Sequence, residues 1–380
     1  MRIGFDARWF YSGNPSGQRV IHNLLRQLVI LTSEHELIVF LPWRDRHREF
    51  PFRAPHVRPL YVGGRNGLFT NLIGVPWKAR HEKIDVAIFQ YFAPPWGHYS
   101  RIAFINDIIF ETHPDYFTMK ERLYFSPMRF LARRADGICT ISQSEKRRLL
   151  TYGYGTAERI FVLYIGIDNR FVPRTFYDEE KLFSVKRRYG LPDRYILYVG
   201  RLTARKNLVN LLRAVSLIKD DSVNLVLVGK SDSKKLPLSE TIRDLHLGHR
   251  VLLPGFIPDQ DLPSTYALAS VFCYISFDEG FGLPCLEAMA SGVPVVTARK
   301  GALPEILGES AMYVDETDPR AISAALEDVL KRPEIYIAKV TQGIVRAQSF
   351  TWERAAKELL DVCLRVRRRK PVFYKKDQAI

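Results

Sequence analysis

The chain has 380 residues, 47% of them hydrophobic, 12% aromatic and 26% charged. That is material for about two well-filled domains, and it excludes extensive disorder. The net charge of +15 is uneven: residues 1–150 hold 22 Lys and Arg against 13 Asp and Glu, and residues 351–380 hold 9 against 4, so nucleic acid, an anionic membrane surface and phosphorylated small molecules all stay open as partners.

The opening Met1-Arg2-Ile3-Gly4-Phe5 reads as a strand and not as a charged leader with an apolar core. A loop, Ser12-Gly13-Asn14-Pro15-Ser16-Gly17-Gln18, leads into a helix whose apolar residues Val20, Ile21, Leu24, Leu25, Leu28 and Leu31 form one stripe. Strands follow at Leu37–Leu41, Asp85–Phe89, Arg101–Ile105 and Gly137–Ile141. A polar stretch, Asp168–Leu191, with Pro173 inside it and Pro192 just after it, reads as the join between two halves. The second half repeats the pattern, with strands at Tyr195–Gly200, Asn224–Gly229, Val251–Pro254, Val271–Ser276 and Pro294–Thr297, and helices at Leu208–Leu217, Leu262–Ala269 and Leu283–Ala290. Strands alternating with helices predict an α/β protein of two doubly wound domains in tandem, 1–170 and 171–349, followed by a C-terminal crossover helix and basic tail, 350–380. Ligands of such sheets bind outside the carboxyl ends of the strands, so a site is expected in a cleft faced by both domains.

No apolar run approaches the roughly 20 residues of a membrane span. The four cysteines Cys139, Cys273, Cys285 and Cys363 are scattered, which points to a reducing, cytoplasmic setting and away from disulfides or structural zinc.

The densest chemistry lies between a strand and a helix, in Glu279-Gly280-Phe281-Gly282-Leu283-Pro284-Cys285-Leu286-Glu287. Gly280 and Gly282 let backbone approach a ligand, and Pro284 suits a first helical turn. A helix start presents free N–H groups and a positive dipole end, which suits a diphosphate. Glu287, one turn into the helix, offers a carboxylate for two vicinal hydroxyls such as those of a ribose. Two glutamates eight apart would alone be ordinary solvated side chains; the Gly-Phe-Gly-Leu-Pro between them is what marks them.

Glu279 to Glu287, continuing through Ala288-Met289-Ala290, Gly292 and Pro294-Val295-Val296, resembles the E-x7-E segment of family 4 retaining glycosyltransferases with the GT-B fold. Gly200-Arg201-Leu202-Thr203-Ala204-Arg205-Lys206-Asn207 resembles that family's G-R-x-x-x-x-K-N segment. The resemblance extends over nearly the whole chain. It implies that Arg201 and Lys206 clamp the diphosphate of a nucleotide-sugar donor, with Arg205 a solvated neighbour. It implies that Glu279 lies nearest the sugar, with Glu287, Gly280, Phe281, Gly282 and Leu283 binding the donor. Gly4-Phe5-Asp6-Ala7-Arg8 with Gly13 and Gly17 resembles the family's first loop, which covers donor phosphates and faces the acceptor. Many relatives carry a His-Asp pair in a middle strand of the first domain; here Asn106-Asp107 stands there, and an amide can bond a sugar hydroxyl but cannot shuttle a proton. His113, in a His-Pro turn, reads as structural.

Asp259-Gln260-Asp261 spells a metal-binding triplet of another glycosyltransferase fold, but before Leu262-Pro263 it reads as a helix cap. The resemblance implies no metal and no cofactor. The expected activity is retaining transfer of a hexose, with GDP-mannose the preferred donor, to a saccharide or lipid-linked saccharide during cell-surface polysaccharide synthesis. Basic, aromatic segments such as Trp43–Arg46, Phe125–Arg134 and Arg365–Tyr374 would suit an anionic inner membrane face. Two alternatives stand beside it: a sugar-nucleotide 2-epimerase of the same architecture, and a basic nucleic-acid-binding protein. The second has no helix-turn-helix, zinc or RNP-type pattern behind it.

Overall fold

The computed structural model describes residues 1–13, 15–64, 67–230 and 237–368. The tail from Arg369 onward and Asn14 of the first loop therefore lie outside the described residues. The chain divides into two compact units, Met1–Gly166 with Trp352–Ile380, and Ile167–Thr351.

The first unit is a seven-stranded parallel sheet of order β3-β2-β1-β4-β5-β6-β7. Its strands are β1 (Arg2–Asp6), β2 (Glu36–Pro42), β3 (Val57–Val62), β4 (Val86–Gln90), β5 (Ser100–Phe104), β6 (Gly137–Thr140) and β7 (Ile160–Val162). The central strands β4 and β5 are buried along their whole length, which parallel strands covered on both faces require. The helix Pro15–Leu31 buries Val20, Ile21, Leu24, Leu25 and Leu28 as its stripe predicts. The helix Trp352–Arg368 packs on it and on β4, β5 and β6, burying Trp352, Ala355, Leu359 and Val366. Gly137 makes room for it: a Cβ there would stand 2.9 Å from Val366 Cγ2.

The second unit is a six-stranded parallel sheet of order β10-β9-β8-β11-β12-β13. Its strands are β8 (Tyr195–Val199), β9 (Asn224–Val228), β10 (Val251–Gly255), β11 (Val271–Tyr274), β12 (Val295–Ala298) and β13 (Met312–Val314). The edge strands β3, β7 and β13 escape sequence reading; β3 carries Pro59, which only an edge tolerates. The stretch read as a bare join contains a helix, Glu179–Tyr189, capped by the Asp178 side chain at one end and by left-handed Gly190 at the other. That helix belongs to the second unit, so the segment is part of a domain.

All four cysteines are free and buried. Among the described residues no helix is long and apolar enough to cross a membrane.

Candidate active site

In the second sheet β8 and β11 are neighbours, and the strand order runs outward from them in opposite directions. The loops that leave such a pair diverge and open a crevice at the carboxyl ends. The two segments singled out from sequence are these loops: 200–207 follows β8, and 277–282 follows β11.

The loops are stitched together. The Lys206 ammonium donates to Glu279 Oε1 at 2.5 Å and to the Tyr274 hydroxyl. Arg205 donates to Glu279 Oε1 at 3.2 Å and to the Asp278 carbonyl. The Arg205 carbonyl in turn accepts from Phe277 N–H at 3.0 Å. Asn207, left-handed at φ 58°, starts the helix Leu208–Leu217, and its amide donates to the carbonyls of Ile275 at 3.2 Å and Glu316 at 2.6 Å. A third loop closes the group: Ala302 N–H donates to the Glu279 carbonyl at 2.9 Å. Gly301 beside it is left-handed, and a Cβ there would stand 2.3 Å from the Glu279 carbonyl oxygen and 2.6 Å from an Asp278 carboxylate oxygen.

Glu279, Lys206 and Asn207 are all buried. Burial pushes the Glu279 carboxyl up, but the Lys206 and Arg205 charges outweigh it and bring it down to about 2. Glu279 is therefore an ion throughout the neutral range and is no proton donor there. Burial holds the Lys206 ammonium down to about 8, with the Glu279 charge offsetting part of that fall. Two cations thus meet on the one carboxylate of Glu279, with the Asp278 carboxylate buried beside them.

The helix Leu283–Ala290 begins beside it, with left-handed Gly282 (φ 95°) at its N-cap position and Pro284 in its first turn. Gly282 also admits Leu303, whose Cδ2 would lie 2.5 Å from a Cβ. Phe281 turns inward and meets Phe350 edge-on at 5.8 Å, so its ring is a core element. Gly280 is buried and Leu283 half-buried. Glu287 is buried, and its Oε2 accepts from the Tyr266 hydroxyl at 2.9 Å. Arg201 is exposed, and its carbonyl accepts from the Tyr198 hydroxyl at 3.1 Å.

Two assignments change. Arg205, read as a solvated neighbour, is half-buried and binds Glu279 directly. Asp261 is no side-chain cap; its carboxylate accepts from Arg188 and from the Tyr189 hydroxyl, each at 2.7 Å, and so ties the helix Glu179–Tyr189 to the start of Leu262–Ala267. Among the described residues no three His, Cys, Asp or Glu side chains gather as a metal site would need.

The first sheet has its own reversal of strand order, between β1 and β4. Asp6, at the end of β1, accepts from Asn71 and from Gln90 N–H, each at 3.0 Å, and pairs with Arg8 at 2.8 Å. Gly13 and Gly17 pack on Trp9, whose indole would lie 3.0 Å and 2.8 Å from their Cβ atoms. Tyr91, just past β4, is left-handed at φ 63°, a costly state for a bulky residue. Its ring lies 5.5 Å from Trp9, and Asn106 hydrogen-bonds its hydroxyl. The Oδ1 atoms of Asn71 and Asn106 and the Nε2 of Gln90 are buried without a hydrogen-bond partner among the described residues.

Comparison with known families agrees with this architecture. Residues 181–342 match the model for glycosyl transferases group 1, and residues 17–171 match that for glycosyltransferase family 4. Each of the two units thus carries a glycosyltransferase family domain. The chain has the fold of the GT-B enzymes. Against the Escherichia coli O-antigen chain mannosyltransferase B it is 32% identical over 228 residues, covering 59% of this chain and 58% of that one. Against the Escherichia coli serotype-specific mannosyltransferase WbdA it is 30% identical over 229 residues, again 59% of this chain but 28% of that one. The sucrose-phosphate synthase of Thermosynechococcus elongatus superposes with a TM-score of 0.78 at 18% identity, covering 97% of this chain and 100% of that one.

The candidate site includes residues that sequence did not single out. Tyr274 and Tyr266 look like ordinary strand and helix aromatics, and only the fold puts their hydroxyls on Lys206 and Glu287. Gly301 could have been suspected from the Gly-Ala-Leu-Pro-Glu turn, though nothing there names Glu279 as its neighbour.

Proposed function

We propose that this chain transfers a hexose, mannose from GDP-mannose, with retention of anomeric configuration, onto a saccharide or lipid-linked saccharide. The observation that carries the donor half is the pair of cations, Lys206 and Arg205, fixed on Glu279 beside the start of the helix Leu283–Ala290. Charge develops on the leaving diphosphate, and fixed cations with helix N–H groups stabilise it where it forms. The bond from anomeric carbon to phosphate oxygen breaks as the acceptor oxygen bonds the same face of that carbon. The acceptor's proton passes to the departing phosphate oxygen, so the scheme uses neither a protein base nor a metal. An ionised Glu279 and an Asn106 that cannot titrate are compatible with it.

Mannose is favoured by the mannosyltransferase names of the two relatives about 30% identical. Thermal shift with GDP-mannose, UDP-glucose and dTDP-rhamnose tests it, because a ligand that binds only the folded state raises the melting temperature. GDP-mannose should stabilise most. Stabilisation by UDP-glucose with none by GDP-mannose would overturn the mannosyl reading.

A membrane-bound acceptor is favoured by two short helices of the first unit, Met119–Phe125 and Met128–Arg134. Met119 is 85% exposed, Leu123 74% and Phe130 54%. Lys120, Arg122, Arg129, Arg133 and Arg134 are exposed among them, an apolar-and-basic surface suited to anionic headgroups. Co-sedimentation with phosphatidylglycerol vesicles but not with phosphatidylcholine vesicles is the expected result. Equal binding to both would remove the anionic membrane from the proposal.

A further inference from the structure

An ammonium group has three N–H bonds, carried on a long flexible stem. In this structure Lys206 has Glu279 Oε1 and the Tyr274 hydroxyl as hydrogen-bond partners. Tyr274 is the last residue of β11 and is 2% exposed. Its ring stacks on Tyr198 at 5.7 Å and 18° and on Phe272 at 5.8 Å and 20°, so it has no freedom to follow a moving lysine. The ammonium also lies 4.7 Å from the centroid of the same ring.

We propose that Tyr274 is a positioning residue for the donor half-reaction: its hydroxyl and Glu279 hold two N–H bonds of Lys206, and the third is left for a diphosphate oxygen. This rests on the reading of Lys206 as the diphosphate cation. Packing alone does not account for a tyrosine at this position, since a phenylalanine would fill the same stack. The hydroxyl contributes an acceptor that meets a buried positive charge, and such hydrogen bonds are the strong ones. It serves two ends: the lysine keeps one rotamer, and its charged form is stabilised against the burial that holds it down to about 8.

The test compares wild type, Tyr274→Phe and Lys206→Gln in calorimetric binding of GDP, UDP and inorganic pyrophosphate, between about pH 6.5 and pH 9, where the wild-type ammonium titrates. Tyr274→Phe keeps the aromatic stack, and its melting temperature should stay near that of wild type. Its affinity for the tightest of these ligands should fall roughly 3- to 10-fold near pH 8, as expected for one hydrogen bond to a charged group. Its alkaline loss of binding should begin at least about half a pH unit earlier, because the ammonium has lost a stabilising partner. A merely structural tyrosine would leave the pH profile in place. If Tyr274→Phe fails to fold, Tyr274→Met removes the same hydroxyl and should show the same shift. Binding by Tyr274→Phe that matches wild type across the range overturns the positioning role, provided Lys206→Gln binds weakly. If Lys206→Gln also binds like wild type, the donor reading itself falls.

Discussion

The ends of β8 and β11 and the ends of β1 and β4 are equivalent places in two similar sheets, yet they are furnished differently. In the second unit Lys206 and Arg205 converge on Glu279, two cations on one carboxylate drawn from separate loops. In the first unit Asp6 and Arg8, two residues apart, pair with one another, and three amide atoms are buried beside them without a hydrogen-bond partner among the described residues: Asn71 Oδ1, Gln90 Nε2 and Asn106 Oδ1. Cationic N–H donors fixed in place suit an anion, whereas neutral amide atoms suit the hydroxyls of a sugar. The two reversal points thus present different groups, charged donors fixed on a carboxylate in one and neutral amides in the other.

The sharpest way to break that contrast is Lys206→Ala. Turnover should fall by about 10³-fold, as when a fixed transition-state charge is removed, and stability by about 3 kcal/mol because buried Glu279 loses its nearer cation. Steady-state kinetics and urea unfolding read the two losses, and near-normal turnover would place the donor elsewhere. Next in size is Arg205→Ala, which should cut turnover about 10- to 100-fold by loosening Glu279 from the β8 loop. An effect no larger than that of a distant surface arginine would return Arg205 to the solvated role.

On the neutral side, Asn106→Ala should raise the acceptor KM roughly 10-fold, the worth of one hydrogen bond, with donor-dependent thermal stabilisation unchanged. A change in donor stabilisation instead would make the two corners functionally alike.

The smallest effects are those of pH, and they carry sign. The Glu279 carboxyl sits at about 2 when folded against an ordinary 4.5, so the stability it contributes is complete above about pH 4.5 and is lost as pH falls toward 2. The Lys206 ammonium sits at about 8 against an ordinary 10.5, so its contribution to stability grows as pH rises from about 8 to 10.5. Diphosphate affinity needs the charged ammonium and should decline over the same interval. Unfolding and binding measured together above pH 8 should therefore move in opposite directions; parallel decline would mean that Lys206 titrates higher.

Much of the fold was legible because parallel buried strands read as apolar runs and amphipathic helices as stripes. The helix Leu283–Ala290 falls on its sequence-predicted bounds, with Pro284 in its first turn. The edge strands β3 and β13 were not legible, because half-buried strands lack that run. The helix Glu179–Tyr189 was missed because only Leu182 and Val185 of its length are buried. At the site, Gly-Phe-Gly-Leu-Pro marked Glu279 and Glu287 through local chemistry alone. Arg205 was misjudged because a basic residue in a polar turn looks the same whether it meets water or a carboxylate from a loop 74 residues away.

By itself the sequence determined the two α/β units, the loop-to-helix segment at Glu279 and the basic segment at Lys206, all of which follow from periodicity, glycine placement and composition. Only the tertiary structure decided that those segments meet, that Arg205 and Tyr274 take part, and that Glu279 is held as an ion. The strand order places β8 beside β11, and the strength of a charge depends on the burial and partners that this adjacency supplies.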